Sequence, residues 1–468
     1  MLKYQLTYCE DASSLFERIA HQPWAIFVDS GKPQGEYGRF DILVADPFAT
    51  ITTLEGDAGS SASVHTEIIK NGQKTVSLDD PFTILKRLLE PYKSVESGLP
   101  FNGGAVGYFS YDLARQVECL PHLAQKDPAI PHMMVGIYDW AVVVDHQEKT
   151  ASLVSYGFQQ STHDNWATLC SLFDSPFEAL QVEEFVFSSS VTSNMSFDEY
   201  AKAFNTVKNY IIEGDCYQVN LAQRFSAKAQ GSSWAVYSKL REISPAPFMA
   251  YMNFWPLQVI SGSPERFLQV VGNHVETRPI KGTMPRSDDA EQDNQFAIDL
   301  QNSIKDKAEN LMIVDLLRND ISKNCKIGSV KADKLFQLQS FANVHHLVSV
   351  VTGRLSVGKT AIDLLRGCFP GGSITGTPKL RAMQIIEELE PHRRGVYCGA
   401  IGYIGFDGNM DTNIAIRTAV YSAEDDGKGE ISFYAGGGIV ADSVLEKEYA
   451  ETLDKASSML KTMKFFGA

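Results

Sequence analysis

The chain is organised around residues 277–286, Thr-Arg-Pro-Ile-Lys-Gly-Thr-Met-Pro-Arg. This stretch follows an alternating apolar run that begins at Phe267, and its two prolines and one glycine predict a strand followed by a rigid polar loop. Lys281 lies between two further cations, Arg278 and Arg286. An amine held among cations has a lowered pKa and a larger neutral, nucleophilic fraction. A solvated basic turn is the alternative interpretation, and the loop alone leaves it open.

Composition narrows the class of protein. The chain has 468 residues, a net charge of −15 and 44% hydrophobic residues, which predicts one large folding unit or several smaller ones. This charge argues against nucleic acid as the main partner, because phosphate binding needs a basic surface. Seven scattered cysteines without a CxxC motif fit a reducing cytosol. No N-terminal apolar segment or membrane-length run is present, so we expect a cytoplasmic protein with no membrane contact.

Helix patterns are clear at four places. Each combines apolar residues at helical spacing with capping residues at an end. We predict helices from Pro81 to about Glu90 with Asp80 as cap, from the Ser196–Glu199 capping box to Gly214, in two pieces over 289–323, and over 445–463.

Strand patterns occupy much of the remaining chain. We predict strands over 24–31 and 103–108, a hairpin of 137–144 with 151–156, a strand over 217–227 and a β-meander over 399–438 with turns at 407–409 and 425–427. Few βαβ units are recognisable, so the predicted class is α+β, with large mixed, mainly antiparallel β-sheets and helices packed outside. We divide the sequence into an N-terminal region (1–157), a weakly patterned connection (158–195) and a third region (196–463).

Two glycine-rich segments could bind anions. Residues 370–378, Pro-Gly-Gly-Ser-Ile-Thr-Gly-Thr-Pro, precede a helix, with Thr377 as the predicted N-cap and Pro378 in the first turn. Gly436, Gly437 and Gly438 follow a strand. Tight chain reversal explains both segments equally well.

Carboxylates recur along the last predicted helix. Glu448, Glu451 and Lys455 are spaced to share one face, which an exposed helix with a Glu451–Lys455 pair explains without any site. Glu309 lies on an earlier helix. Spacing alone favours the structural interpretation.

Residues 353–360, Gly-Arg-Leu-Ser-Val-Gly-Lys-Thr, satisfy the G-x-x-x-x-G-K-[ST] phosphate-loop pattern between a strand and a helix. The alternation from Thr352 to Val357 instead predicts that the strand continues through the supposed loop. A nucleotide site is therefore a remote alternative.

Two segments together carry a family resemblance. Arg-Pro-Ile-Lys-Gly-Thr (278–283) and Lys-Asp-Lys-Ala-Glu-Asn-Leu-Met-Ile-Val-Asp-Leu-Leu-Arg-Asn-Asp (305–320) resemble the chorismate-utilising enzymes, which include anthranilate, isochorismate and aminodeoxychorismate synthases. The resemblance covers nearly the whole chain and is densest over 196–456. The first two enzymes carry alanine at the position of Lys281, so the lysine resembles the branch that forms 4-amino-4-deoxychorismate, on the route to 4-aminobenzoate and folate.

The resemblance implies roles for particular residues. Lys281 is the implied nucleophile on chorismate, and Glu265 its acid–base partner. Glu309, Glu448 and Glu451 are the implied ligands of one Mg²⁺, an ion that favours oxygen donors. The implied chorismate contacts are Gly282, Thr283, His346, Thr375, Tyr403, Arg417, Gly436, Gly437, Gly438 and Lys455.

The resemblance also implies partners and a second small-molecule site. No cysteine lies in a recognisable glutaminase context, so we expect ammonia from a separate glutamine amidotransferase subunit. Related enzymes bind tryptophan at positions that match Ser30, Tyr37, Gly38, Arg39, Phe40, Pro247, Phe248 and Met249. Anthranilate synthase component I is the nearest alternative, and a non-catalytic tryptophan-binding regulator is another.

Overall fold

The computed structural model describes residues 1–31, 38–56, 64–94, 97–127, 130–176, 183–287, 289–340, 344–424 and 427–468. In chain order the strands are β1 (Leu2–Leu6), β2 (Ala25–Asp29), β3 (Phe40–Val44), β4 (Ala49–Leu54), β5 (His65–Lys70), β6 (Gln73–Ser77), β7 (Gly104–Phe109), β8 (Met133–Tyr138), β9 (Trp140–Asp145), β10 (Thr150–Ser155), β11 (Val186–Phe187), β12 (Thr192–Ser193), β13 (Gln218–Gln230), β14 (Met249–Phe254), β15 (Leu257–Ser261), β16 (Arg266–Val271), β17 (His274–Thr277), β18 (Ile280–Pro285), β19 (Lys331–Ser340), β20 (Val344–Arg354), β21 (Gly376–Thr377), β22 (Ala400–Gly405), β23 (Met410–Ile414), β24 (Thr418–Ala423) and β25 (Lys428–Ile439). The α-helices are α1 (Ser13–Phe16), α2 (Pro81–Leu89), α3 (Gln160–Asp174), α4 (Phe197–Glu213), α5 (Ser233–Ile243), α6 (Ala290–Asn302), α7 (Ile304–Ser322), α8 (Ala361–Cys368), α9 (Lys379–Leu389) and α10 (Leu445–Phe465).

The described strands form two large sheets. The first sheet has the order β1-β10-β9-β3-β2-β14-β15-β24-β25-β13-β11, with β12 and β21 also paired to β13. The second has the order β18-β20-β17-β16-β23-β22-β7-β8-β4-β5-β6, with β19 paired to β20. Every pairing between these described strands is antiparallel. The predicted α+β class is therefore confirmed.

The two sheets pack face to face, and helices cover their outer faces. In β2, Ile26 joins a cluster with Tyr108 of the second sheet, whereas the next residue, Phe27, joins a cluster with Trp234 of α5. Successive side chains of a strand point to opposite faces, so a strand covered on both sides is apolar throughout. None of the helices in the described ranges combines the length and apolar character needed to cross a membrane.

Several local predictions are confirmed by the helix ends. Asp80 caps α2 by accepting from the Thr83 backbone N–H, and Ser196 and Glu199 form the predicted capping box of α4. Gly214 ends α4 with a φ of +84°. These features depend on residues three or four positions apart, which is why sequence alone predicts them.

The predicted hairpin of 137–144 with 151–156 is only half right. β9 and β10 do pair, but Tyr138 ends β8 in the second sheet and Trp140 begins β9 in the first. The chain changes sheets at Asp139, whose carboxylate accepts from the backbone N–H groups of Phe158 and Gln159, both at 3.0 Å. Apolar alternation is the same in both sheets, so it does not locate this change.

The predicted meander over 399–438 divides in the same way. β22 and β23 form a hairpin in the second sheet, with Gly408 at a φ of +86° in the expected turn. β24 and β25 pair in the first sheet. The chain crosses between the sheets over 415–417, and Arg417 has a φ of +51° there. Residues 425–426 of the second predicted turn lie outside the described residues.

The connection over 158–195 is more regular than predicted. It contains α3, whose Phe173 packs edge-on against Trp140 with ring centroids 6.0 Å apart. β11 and β12 pair with β13. Strands from 1–157 and from 196–463 are hydrogen-bonded together in both sheets, for example β2 with β14 and β7 with β22. The N-terminal region and the third region therefore share both sheets, whereas the described strands of the connection join only the first sheet.

Candidate active site

Lys281 lies in β18, which ends the second sheet and pairs with β20. The pairing register shifts between Lys281 and Thr283, where Gly282 has a φ of +83°. A Cβ at position 282 would lie 3.0 Å from Leu300 Cδ1, so a side chain here would also collide with α6. The predicted loop is therefore wrong: the stretch is a bulged edge strand, in which prolines are tolerated because some N–H groups need no strand partner.

The two arginines that flank Lys281 in the sequence each form an ion pair with a carboxylate. Arg278 pairs with Glu276 at 2.5 Å, and Arg286 pairs with Asp293 at 2.9 Å. Their charges are locally balanced. The proposed reason for a lowered lysine pKa, neighbouring cations in the same stretch, is therefore not the one that operates.

The pKa of Lys281 is nevertheless lowered. Burial is the main cause and the ammonium of Lys455 is the second, whereas Glu265, Glu309 and Glu451 act in the opposite direction. These groups come from β18, α7, α10 and the segment before β16. A loss of solvation favours the neutral amine, which is the nucleophilic form.

Glu265 faces the same site with the opposite tendency. Burial raises its pKa, and Lys281, Ser373 and Lys455 oppose that rise. Ser373 Oγ donates a hydrogen bond of 2.9 Å to Glu265 Oε1. A lowered amine pKa beside a raised carboxyl pKa favours the protonation states that a nucleophile and a general acid require.

Three glutamates border this pair. Glu451 forms a 2.6 Å ion pair with Lys455 on α10, and Glu309 and Glu451 are close enough to influence each other's charge. A Cβ at Gly437 would lie 3.4 Å from Glu448 Oε2 and 3.5 Å from Glu451 Oε1. The missing side chain thus leaves room in front of two carboxylates. Within the described residues, however, no three His, Cys, Asp or Glu side chains are arranged closely enough to hold a metal ion.

His346 of β20 is a neutral neighbour of Thr283. Thr283 Oγ1 lies 2.9 Å from His346 Nδ1. Burial, and secondly the charge of Arg417, lowers the pKa of His346 to about 4. The imidazole is therefore uncharged near pH 7 and can exchange hydrogen bonds without adding charge.

Arg417 is an uncompensated cation. Across the described part of the chain its guanidinium forms no hydrogen bond or ion pair, and loss of solvation alone lowers its pKa. Other buried arginines are paired, as Arg394 is with Glu390 at 2.6 Å. A desolvated, unpaired guanidinium is costly unless an anion completes it. The site is therefore built to receive an anionic group.

The segment 370–378 is held by a hydrogen bond between two of its own residues. Thr375 is fully buried, and its hydroxyl donates to the Gly371 carbonyl at 3.1 Å. Thr377 is not the N-cap: it pairs in β21, and Pro378 occupies the position before α9. Sequence spacing did not reveal that Thr377 is held in a strand, so the predicted N-cap is wrong.

The three consecutive glycines of β25 have different neighbours. The Gly436 carbonyl accepts a 3.0 Å hydrogen bond from Lys455 Nζ. Gly437 faces α10, as described above. A Cβ at Gly438 would lie 2.7 Å from Gln218 Nε2, so this glycine makes room for a glutamine amide.

Three residues at the site were missed in the sequence analysis. Ser373 holds Glu265, and Asp306 Cβ lies 3.0 Å from the position of a Cβ at Gly282. Arg394 donates to the carbonyls of Ile374 and Asn220. The Gly-Gly-Ser run could have drawn attention to Ser373, but the other two contacts join distant parts of the chain.

The sequence was compared with known protein families. Residues 25–461 match the family described as chorismate binding enzyme. The chain belongs to that family.

Full-length relatives agree with this assignment. This chorismate-binding enzyme is 45% identical to aminodeoxychorismate synthase component 1 of Escherichia coli K12 over 463 residues, which is 98% of each chain. It is 37% identical to anthranilate synthase component 1 of Pseudomonas putida, covering 96% of this chain and 92% of that one. Among solved structures, anthranilate synthase component I from Streptococcus pneumoniae superposes with a TM-score of 0.76 at 32% identity, covering 92% and 93% of the chains. The menaquinone-specific isochorismate synthase of E. coli, at 17% identity and a TM-score of 0.72 over 99% and 94%, shares the fold.

The phosphate-loop pattern of this chorismate-binding enzyme is not a phosphate loop. The alternation predicted a strand through Val357, and β20 continues as far as Arg354 within the supposed loop. Thr360 and Asp363 form a capping box at the start of α8, and Asp363 also binds Lys86 Nζ at 2.8 Å. A carboxylate already occupies this helix start, which disfavours a nucleotide phosphate.

Five of the eight predicted tryptophan-binding residues border a second cavity, of about 460 Å³, between the sheets. Arg39, Phe40, Pro247, Phe248 and Met249 line it, as do Asp29 and Tyr403. Ser30 instead donates its hydroxyl to Asp41, Gly38 is buried, and Tyr37 lies outside the described residues.

Tyr403 is therefore not brought to the Lys281 site. Its ring packs edge-on against Phe101, 5.4 Å between centroids, on the side of the second sheet that faces the first. The carboxylate of Asp29 is also occupied within the protein, because Arg241 Nε and the Tyr237 hydroxyl both donate to it at 2.6 Å.

Proposed function

We propose that this enzyme converts chorismate and ammonia into 4-amino-4-deoxychorismate and water. The observation that carries the proposal is the proximity of Lys281, whose pKa is lowered, to Glu265, whose pKa is raised, with the unpaired cation Arg417 near His346 of the same site. The relatives named aminodeoxychorismate synthase component 1, at 45% and 46% identity, support the same substrate and product.

The proposed steps follow from the directions of these two pKa shifts. The neutral Lys281 amine forms a bond to C2 of the ring, the two ring double bonds shift, and the C4 hydroxyl leaves as water with the proton of Glu265. Ammonia then bonds to C4, the double bonds shift back, the C2–nitrogen bond to Lys281 breaks, and the new ammonium group at C4 returns one proton to Glu265. Two displacements replace one difficult substitution, so the configuration at C4 is retained.

The surrounding residues act on the substrate's charge and position. Arg417 would pair with one carboxylate of the dianion, and neutral His346 and Thr283 would hydrogen-bond near the ring. His346 is buried and Arg417 is partly buried, so contact with water is reduced and their interactions with the substrate are strengthened. The net charge of −15 makes such a local cationic site necessary.

We further propose that Glu309, Glu448 and Glu451 hold Mg²⁺. Their donor set is all oxygen, and the gap at Gly437 leaves two of the carboxylates open to a small cation. When bound, the ion would neutralise a substrate carboxylate. The present spacing of the glutamates implies that water and substrate would complete its coordination.

Metal dependence is directly testable. Glu309→Gln and Glu451→Gln are each expected to lower turnover roughly 10²-fold, with partial recovery at high Mg²⁺, because each removes a charged ligand. Unfolding free energy should change by no more than about 1 kcal/mol, because their lysine pairs are partly exposed. Glu446→Gln, on the exposed face of α10, is the matched control. Undiminished wild-type activity in EDTA would contradict the proposal.

Ammonia is proposed to come from a glutamine amidotransferase partner, in line with relatives whose names specify a component 1. The isolated chain should form 4-amino-4-deoxychorismate from chorismate, Mg²⁺ and ammonium salts, but not from glutamine. Chromatography with mass spectrometry separates the products. Release of pyruvate and a fluorescent aromatic amine would identify anthranilate synthesis instead. Glutamine-dependent turnover would show that the chain contains a glutaminase site.

The second cavity is proposed to bind tryptophan. Phe40 and Phe248 supply aromatic surface, and the guanidinium of Arg266 lies 5.0 Å from the Phe248 ring centre. Calorimetry should show binding, and Phe248→Ala should raise the Kd about tenfold through loss of ring contact. Phe187→Ala, in β11, should leave the Kd unchanged. Absence of binding to the wild type would refute the assignment.

A further inference from the structure

One largely buried ammonium group joins three parts of the chain behind the proposed reaction centre. Lys379, the first residue of α9, donates from Nζ to Asp320 Oδ2 on α7 at 2.5 Å. The same Nζ donates to the Cys368 carbonyl at 3.0 Å and to the Pro370 carbonyl at 2.9 Å. The Lys379 side chain is 14% exposed. An ammonium group has three N–H donors, and each of them has an acceptor here.

The three acceptors depend on this cation. Asp320 is 1% exposed, and a buried carboxylate is costly unless a cation pairs with it. The carbonyls of Cys368 and Pro370 converge on the same ammonium, so their oxygen atoms would repel each other if it were absent. Lys379 therefore holds the end of α8 and the start of the next segment against α7.

The segment held in this way leads to the proposed general acid. Pro370 is three residues before Ser373, whose hydroxyl donates to Glu265 Oε1 at 2.9 Å. Gly372 lies directly against α7, because a Cβ there would be 2.5 Å from Leu316 Cδ2. A displacement of the Pro370 carbonyl would therefore be passed to the Ser373 hydroxyl over a short, closely packed stretch.

Ser373 determines the orientation of the Glu265 carboxyl group. Its hydroxyl binds Oε1, and within the described ranges no residue donates to Oε2. A protonated Glu265 would therefore carry its proton on Oε2, where it is available to a substrate. Ser373 is 6% exposed and Glu265 is 7% exposed, so solvent water has little opportunity to replace this contact.

We propose that Lys379 is a positioning residue for the general acid: it holds residues 368–373 so that Ser373 orients Glu265 for proton transfer to the departing C4 hydroxyl. The inference rests on the proposed function, because Glu265 is the proton donor there. The three N–H donors of Lys379 are all taken by protein acceptors, so it acts without touching chorismate. Its loss should slow departure of the hydroxyl and leave chorismate binding intact.

The rate of covalent adduct formation on Lys281, with chorismate and Mg²⁺ but no ammonia, measures this step in a single turnover. Lys379→Met and Ser373→Ala should each slow it roughly tenfold, which is part of the roughly 10²-fold or more that a positioned general acid contributes. The double variant should be no slower than the slower single variant, because both changes disturb the same contact. The KM for chorismate should stay within about twofold of wild type.

Lys323→Met is the matched control. Lys323 binds the other oxygen of Asp320, at 3.1 Å, but its side chain is 50% exposed and its second acceptor is the Gly367 carbonyl, at 3.4 Å. It should leave adduct formation within about twofold of wild type. If Lys379→Met does not fold, Lys379→Met combined with Asp320→Asn decides the question, because it removes the buried carboxylate charge together with the two hydrogen bonds to the carbonyls.

The possible failures are distinguishable. Wild-type adduct formation in a folded Lys379→Met variant would overturn the inference, as would single-variant effects that multiply in the double variant or a parallel rise in the KM for chorismate. Glu265→Gln tests the level below. If that variant formed the adduct at the wild-type rate, the proposed role of Glu265 would be wrong. If it were slow, and Lys379→Met slowed it further, only the inference about Lys379 would be contradicted.

Discussion

Lys281→Ala is expected to lower formation of 4-amino-4-deoxychorismate by roughly 10³-fold or more, because it removes the group that forms the covalent bond to C2. With chorismate and Mg²⁺ but no ammonia, the wild-type enzyme should accumulate an adduct on Lys281. Its mass should equal that of chorismate less one water. Peptide mapping by mass spectrometry should place it on Lys281, and the variant should show none.

Lys281→Met is the matched variant. It keeps the length of the side chain and removes the amine, so it should lose the same activity. Lys281→Ala also opens space beside C2, where water or ammonia could react and give isochorismate-like or anthranilate-like products. Such products from the alanine variant, and not from the methionine variant, would show that the lysine also excludes competing nucleophiles. If either variant formed 4-amino-4-deoxychorismate at the wild-type rate, the covalent mechanism would be contradicted.

The same pair of residues predicts a bell-shaped pH profile. Lys281 must be neutral, and because its pKa is lowered, the rate should rise with pH and level off below the ordinary lysine range. Glu265 must be protonated, so the rate should fall as pH passes its raised pKa. Single-turnover measurements should show both limbs in the wild type. Glu265→Gln should remove the descending limb.

Arg417→Met is expected to raise the KM for chorismate about 10²-fold, because a desolvated guanidinium–carboxylate pair is worth several kcal/mol when one partner is removed. The substitution should change the free energy of unfolding in the opposite direction from the substitution of a paired, buried arginine. Within the described residues the guanidinium pairs with nothing, so its removal relieves a desolvation cost. Unfolding in denaturant should therefore show equal or greater stability.

Arg241→Met provides the contrast. Arg241 is 3% exposed and pairs with Asp29 at 2.6 Å and Asp11 at 2.8 Å, so its loss leaves the buried carboxylate of Asp29 without its cation. That variant should lose about 3–5 kcal/mol of stability and keep a nearly normal KM for chorismate. If Arg417→Met were the destabilised variant and bound chorismate normally, Arg417 would be a structural residue with no role in substrate binding.

Features that depend on neighbouring residues were determined by the sequence itself. Asp80 and Pro81 start α2, the Ser196–Glu199 box starts α4, and Gly214 ends it. Strand alternation from Thr352 to Val357 argued against a phosphate loop, and β20 does continue to Arg354. Caps, helical periods and alternation act within one or two turns of chain, so their energies can be judged without knowing the fold.

The tertiary structure alone decided which sheet each strand joins and what each site residue faces. Tyr138 and Trp140 are separated by one residue yet belong to different sheets, and β23 and β24 are divided in the same way at Arg417. Both sheets bury apolar side chains on both faces, so alternation is identical in either one. The partners of Lys281 come from α7, α10 and the start of β16, and the absence of a partner for Arg417 is a property of the whole surrounding protein. Such arrangements depend on contacts between residues far apart in the chain, which no local pattern encodes.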